Sequence, residues 1–280
     1  MSAAPVSKVQ AVVRPKLQRA SGIGRIGVAG GAVGTRLAKL WQQECCKIRI
    51  PRSHGHGMEA ALINTSGGIT GGDSLEWSAT ASGQAHLTAT TPACEKVYRS
   101  DGADAHVAVT LRVEDTAVLN WLPQETILFE GARLNRRIEA DLSADARLAL
   151  LEAVVIGRSA MGERAPGAAL RDQWRIRRNG KLIHAEATDL GANDTRRDAR
   201  GLLAGNTAFA TLVYLAPDAE KRLEMLRSLM PNSHGTAASA SPGRLVVRFL
   251  AENGLALRRQ IVPTIETVLG PSGLPRIWHI

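Results

Sequence analysis

The chain has 280 residues, enough for one large β domain or two ordinary ones, and its 44% hydrophobic and 22% charged residues exclude global disorder. Aromatics at 4% argue against a surface that stacks exposed bases, whereas a formal net charge of +9 permits attraction to nucleic acid, an anionic membrane or an acidic protein. Three cysteines, two of them adjacent as Cys45-Cys46, make no disulfide framework and fit a reducing compartment.

Residues 1–22, with Pro5 and Pro15, read as a flexible start that joins a sheet near its end. They carry no apolar core of signal-peptide length, and no later run is long enough to span a bilayer, so the expected location is the cytoplasm. Gly27 to Gly34 precede an apolar-periodic stretch ending at Trp41. The glycines are wrongly spaced for a dinucleotide loop, and a glycine-rich hairpin is the better reading.

From residue 47 short alternating or β-branched runs follow one another: 47–50, 59–64, 75–81, 84–91, 105–113, 117–121, 133–141 and 147–157, separated by Gly, Pro, Ser or Asp. In the run from His106, alternation places Val107, Val109, Leu111 and Val113 on a buried face and His106, Thr110 and Arg112 on a wet one. Asn179-Gly180, flanked by 171–178 and 182–188, is a strong hairpin signal. The expected fold is therefore mainly β, one domain over residues 1–280, with no evident internal repeat.

Two helices are expected. Asp218 stands as a cap before AEKRLEMLRSLM, with Leu223, Leu226 and Met230 on one face and Pro231 ending it. Leu257, Ile261, Ile265 and Leu269 recur at helical spacing around Pro263, where the helix must kink or begin anew. Between them, residues 233–243 read as a mobile loop, followed by a strand over 244–250.

The basic pairs and triplets at Arg136-Arg137, Arg175 to Arg178, Arg196-Arg197 and Arg258-Arg259 read as solvated faces. His54, His56, Cys45 and Cys46 match no standard metal spacing, and Cys94 has no histidine nearby in sequence to activate it. Asp73, Glu125 and Glu163 each stand beside Gly or follow a Pro-containing turn. Two readings stay open for them: structural pairing with Arg99 or Arg158, or weak oxygen ligands on a path for a divalent cation.

Five segments carry a family resemblance. They are the loop Gly67-Gly68-Ile69-Thr70-Gly71-Gly72-Asp73, then Thr90-Thr91-Pro92-Ala93 leading to Lys96 and Tyr98-Arg99-Ser100, the run from Trp121 to Ile127, Gly157 to Glu163, and Pro275-Arg276-Ile277-Trp278. Their types and order resemble the urease accessory proteins of the UreD (UreH) family. The resemblance implies a non-catalytic fold of helically arranged strands with a few short helices. It implies a scaffold that works with a UreF-type accessory protein and a UreG-type GTPase, docks on apo-urease and supports nickel insertion, and it admits a homodimer within that complex. No tightly bound cofactor is implied; Ni2+ passes transiently, with Asp73, Glu125 and Glu163 as its candidate ligands. Two departures stand out: Asn64-Thr65-Ser66 replaces the more usual Asn-Pro-Pro, loosening the turn, and Cys94-Glu95 occupy positions usually held by small residues.

Two further classes remain open from the residues alone. A nucleic-acid binder would rest on net charge and lose affinity steeply with salt. A nucleotide-dependent oxidoreductase would rest on the glycines at 27–34 and retain a chromophoric cofactor. The C-terminal amphipathic helix and its Pro275–Trp278 tail are suited to docking in a partner groove, the other reading is a helix packed on the chain's own sheet, and partial use of both is expected.

Overall fold

Strands in this chain wind rather than meander. The computed structural model describes residues 17–31, 33–52, 57–229 and 235–279. The expectations placed on residues 1–16, on His54 and His56, and on Met230 and Pro231 lie outside the described residues. β1 (Ser21–Gly31) and β2 (Gly34–Glu44) form the glycine-rich antiparallel hairpin, and β3 (Cys46–Arg49) pairs antiparallel with β4 (Met58–Asn64). The chain then alternates between two sheets. β5 (Ser74–Ser82) enters the first, β6 (His86–Thr90) the second, followed by the short β7 (Glu95–Val97). β8 (Ala105–Val113) returns to the first sheet and β9 (Val118–Leu122) to the second, followed by the short β10 (Thr126–Leu128). β11 (Arg133–Leu142) and β12 (Arg147–Ile156) repeat the coil.

β13 (Ala169–Arg178) ends the winding and turns back through Asn179 and Gly180, both at positive φ, into β14 (Lys181–Leu190). β15 (Ala208–Leu215), α1 (Ala219–Leu229), β16 (Thr236–Ser241), β17 (Arg244–Ala251) and α2 (Gly254–Leu269) complete the second sheet and cover it. The result, among the described residues, is a mainly β fold of solenoid type with two α-helices. β5, β8, β11 and β13 stack in parallel in the first sheet, and β4, β6, β9 and β12 do so in the second. The coil repeats in space without repeating in sequence, because any apolar side chain of suitable volume satisfies an inward position.

Alternation explains the first sheet. In β11 Leu134, Arg136, Ile138, Ala140 and Leu142 face inward, and in β8 Val109, Leu111 and Val113 do so as expected. β12 is different: Leu148 to Ile156 are buried without interruption, because one face meets the first sheet and the other meets the helices. Leu257, Ile261 and Ile265 of α2, with Leu226 of α1, form that second core against Leu212, Tyr214 and Phe249.

The structure differs from the sequence expectation at several elements. α2 runs on through Pro263, with Asn253 capping it by accepting from the Ala256 N–H at 2.9 Å. Asp218 precedes α1, but its carboxylate accepts from the Tyr214 hydroxyl and from Arg222. Residues 236–241, expected in a loop, are an edge strand on β17; their small side chains show no apolar period because α1 packs there. The C-terminal tail packs on the chain itself, the second of its two expected readings. Trp278 is 4% exposed, its indole N–H donates to Thr90 Oγ1 at 3.0 Å, and the Arg258 guanidinium lies over its ring.

The largest departure is Arg136. Rather than forming a solvated face, it is buried between the sheets, bonded to Glu152 of β12 and Asp172 of β13. The indoles of Trp121 and Trp174 donate to Glu152 and Asp172, each at 2.9 Å. The neighbouring carboxylates hold the Arg136 guanidinium charged against the cost of burial, and burial pushes the Glu152 carboxyl upward.

Two outcomes follow for stability. Arg136→Met strands two buried carboxylates and should cost about 3–5 kcal/mol in urea unfolding. Adding Glu152→Gln and Asp172→Asn, which keep acceptors for both indoles but remove the charges, should recover a large part of it. Trp278→Ala should cost about 3–5 kcal/mol, as for a large buried aromatic, with a matching loss in the same measurement.

Candidate functional site

The five segments that carry the resemblance lie far apart in sequence, and four of them are stacked side by side. A short ladder branches from the second sheet at β12 and runs along the flank of the solenoid. Ile69 bridges Val97, Val97 pairs with Leu128 and Leu128 with Ile156, all four buried. Each residue is the inward anchor of one coil. The loops leaving them, at 65–73, 98–104, 129–132 and 157–168, are therefore laid against one another.

The glycine loop is the first layer. Ile69 N–H donates to Lys96 O and Tyr98 N–H to Ile69 O, both at 2.8 Å, while Gly72 N–H reaches Asp104 O at 2.9 Å. Gly68 sits at φ +143° with the Tyr98 ring and Lys96 O where a Cβ would stand, so only glycine permits this approach. The loss of prolines at 65 and 66 is compensated: Asn64 Oδ1 accepts from the Ser66 N–H at 3.0 Å, an Asx turn that fixes the entry. Asp73 is buried and spent on backbone, accepting from the N–H groups of Thr70 at 2.7 Å and Ala20 at 2.8 Å.

Aromatic and ionic contacts join the next layers. Tyr98 donates to Gly67 O at 3.2 Å, its ring meets Phe129 edge-on at 5.0 Å, and the Arg158 guanidinium lies 4.4 Å over Phe129. Arg158 also pairs with Glu163, whose other oxygen accepts from the Glu130 N–H at 2.9 Å. The hydrogen bond from Arg158 holds the Glu163 carboxyl below the usual carboxylate range. Glu130 in turn accepts from the Gly167 N–H at 3.1 Å. Outward from this framework project Tyr98, 39% exposed, Met161, 73% exposed, and the exposed Arg99 and Lys96.

Glu125 directly precedes β10, its carbonyl accepting from the Glu95 N–H at 3.0 Å, and its carboxylate lies beneath the C-terminal tail. It is buried, 3.4 Å from the Cys94 sulfur and 3.5 Å from Arg258 Nη1. Burial, then the charge of Glu125, pushes the Cys94 thiol up to about 11, so it is not a nucleophile at neutral pH. The structure thus places the three candidate carboxylates in three separate environments. Among the described residues no group of three His, Cys, Asp or Glu side chains is placed to hold a metal ion.

Sequence reasoning missed a half-buried acid. Glu95 faces a cavity of about 60 Å3 between the sheets, also lined by Trp121, Gln124, Arg136 and Glu152. Alternation in β11 would have found Arg136, which falls on the same face as Leu134 and Ile138. No such signal exists for Glu95, whose strand is three residues long.

Burial raises the Glu95 carboxyl to about 7, against hydrogen bonds from Asn64 Nδ2 at 3.2 and 3.3 Å that favour the charged form. A raised carboxyl means that the folded protein binds more protons than the unfolded chain between about pH 4.5 and 7, so its contribution is present at low pH and is lost as pH rises through that window. The stability of the native sequence relative to Glu95→Gln should fall on the order of 2 kcal/mol from pH 5 to 8, measured by denaturant midpoints across pH.

The comparisons with known proteins agree with the stacked segments. The pattern of the UreD urease accessory protein family matches residues 20–279. A urease accessory protein UreD from Chelativorans sp. (strain BNC1) is 53% identical over 264 residues, covering 94% of this chain and 95% of that protein. One from Agrobacterium fabrum (strain C58 / ATCC 33970) is 44% identical, covering 94% and 92%, and one from Rhizobium leguminosarum bv. viciae is 42% identical, covering 98% and 100%. With a family match over nearly the whole chain and relatives matched along almost their full lengths, the chain belongs to the UreD family of urease accessory proteins.

Proposed function

We propose that this chain is a non-catalytic scaffold of urease maturation. In the cytoplasm, with a UreF-type accessory protein and a UreG-type GTPase, it docks on apo-urease and supports insertion of Ni2+ into the metallocentre. The observation that carries the reading is the stacked flank. Tyr, Met and Arg side chains are the types that interface cores favour, and here Tyr98, Met161 and Arg99 project from a backbone held by successive parallel coils. A surface fixed in this way gives up little freedom on docking.

Ni2+ is cargo in this reading. Asp73, Glu125 and Glu163 would meet it one at a time as weak oxygen ligands, since they form no shared cluster; each would first have to release its present partners, the Thr70 and Ala20 N–H groups, Arg258 and Arg158 respectively. No tightly bound cofactor takes part.

Tyr98→Ala combined with Met161→Asp should leave the melting temperature within about 4 °C, because one side chain is partly and the other largely exposed. Capture of the UreF-type partner, and the nickel content of co-expressed urease, should fall tenfold or more. Wild-type capture and nickel content in the double variant would remove the flank from the docking role. Glu163→Gln, which keeps an acceptor for the Glu130 N–H, should lower nickel content with the complex still assembled; nickel unchanged would remove Glu163 from the cation path.

A further inference from the structure

The first sheet ends on an edge that is built unlike its opposite end. β2 pairs with β1, and its outer side has no strand partner among the described residues. At the opposite end of the same sheet, Arg244 donates to Ile183 O of β14 and Arg248 pairs with Glu186, while α1 packs against β16 of the second sheet. Arg36 to Trp41 of β2 are all exposed, including Leu37 at 41%, Leu40 at 39% and Trp41 at 52%. Apolar side chains on an uncovered edge are a liability unless something pairs there.

Register divides the two faces of this edge. A bulge between Gly27 and Val28 leaves Ala38 unpaired, so that Lys39 lies opposite Gly27 and Trp41 opposite Arg25, on the outer face. Leu40 lies opposite Ile26 and Leu37 opposite Val28, on the face that leads to the core. Beside Lys39 on the outer face is a groove of about 470 Å3, lined among others by Arg25, Gly27, Ser78, Thr80 and Arg112. None of Arg25, Arg36, Lys39 or Arg112 pairs with a carboxylate within 4.0 Å among the described residues; Glu76 is the one acid in the groove lining.

We propose that the outer edge of β2 receives an extended segment of a partner protein in which carboxylates alternate with apolar residues, added to the first sheet as a further strand. The backbone groups of β2 supply its pairing, Lys39 and, one strand further in, Arg25 meet its acidic face, and Leu37 and Leu40 meet its apolar face. Charge decides against a second copy as the occupant: two-fold pairing about the middle of β2 sets Lys39 opposite Lys39 and leaves the groove cations unanswered. The edge lies apart from the Tyr98 and Met161 flank, and the inference does not depend on the partners named for that flank.

The test uses the full chain and a fluorescein-labelled synthetic octapeptide of alternating Asp and Leu, with a Lys-and-Leu octapeptide as control. Anisotropy should show saturable binding of the acidic peptide that weakens with salt, and amide exchange of residues 36–42 should slow when it binds. Lys39→Glu with Arg25→Glu should lower its affinity at least tenfold, with an unchanged melting temperature, and should confer binding of the Lys peptide. Equal affinity for both peptides, binding without protection of β2 amides, or no binding at millimolar peptide would overturn the proposal. So would a concentration-dependent dimer in sedimentation that Leu40→Asp abolishes, because the edge would then be taken by a second copy.

Discussion

Parallel pairing between successive coils is the constraint on which the rest depends. Two parallel strands cannot be joined by a tight turn, so each crossover must leave the sheet and return. Here every crossover from β5 to β13 passes through the opposite sheet, which makes the two sheets grow together and face each other. A one-residue slip in any coil would turn Leu111 or Ile138 outward, and the core between the sheets fixes the register of all coils at once. The short ladder Ile69, Val97, Leu128 and Ile156 follows from that register, and the loops on the flank follow from the ladder.

The flank therefore owes its geometry to the core rather than to its own contacts. Glycine at 68 lets the first loop lie against the Tyr98 ring, and the Arg158, Phe129 and Glu163 contacts tie the third and fourth loops together. A loop held this way presents side chains from a rigid support, the arrangement that a docking surface needs. The interior uses charge differently. Arg136, Glu152 and Asp172 bridge β11, β12 and β13 where an apolar trio of similar volume would also fill space. Such a network contributes little net stability, but each partner becomes indispensable to the others.

Burial also changes the chemistry of groups that look reactive on paper. Cys94 stands beside a carboxylate and is shifted away from its thiolate, while Cys46, the first residue of β3, is packed against Gly22 of the first hairpin with its thiol raised as well. Burial raises the Glu95 carboxyl to about 7 beside a small cavity. The exposed charged groups are instead on the outside, on the flank and along β2.

Much of the strand content was legible because period-two alternation is a local property: β8 and the Asn179-Gly180 hairpin fall where residue pattern puts them, and the ordered segments named the family before any fold was known. The sequence alone also determined that Leu257, Ile261 and Ile265 share a helix face. Only the tertiary structure decided what covers each face. β12 and β15 are apolar without a period because they are buried on both sides, and β16 is a strand only because β17 lies beside it. Arg136 and Trp278 turned inward because Glu152, Asp172 and Thr90 wait for them on other strands. Asp73, Glu125 and Glu163 came to three separate environments for the same reason: proximity in a wound sheet is set by coil register, which no single stretch of sequence contains.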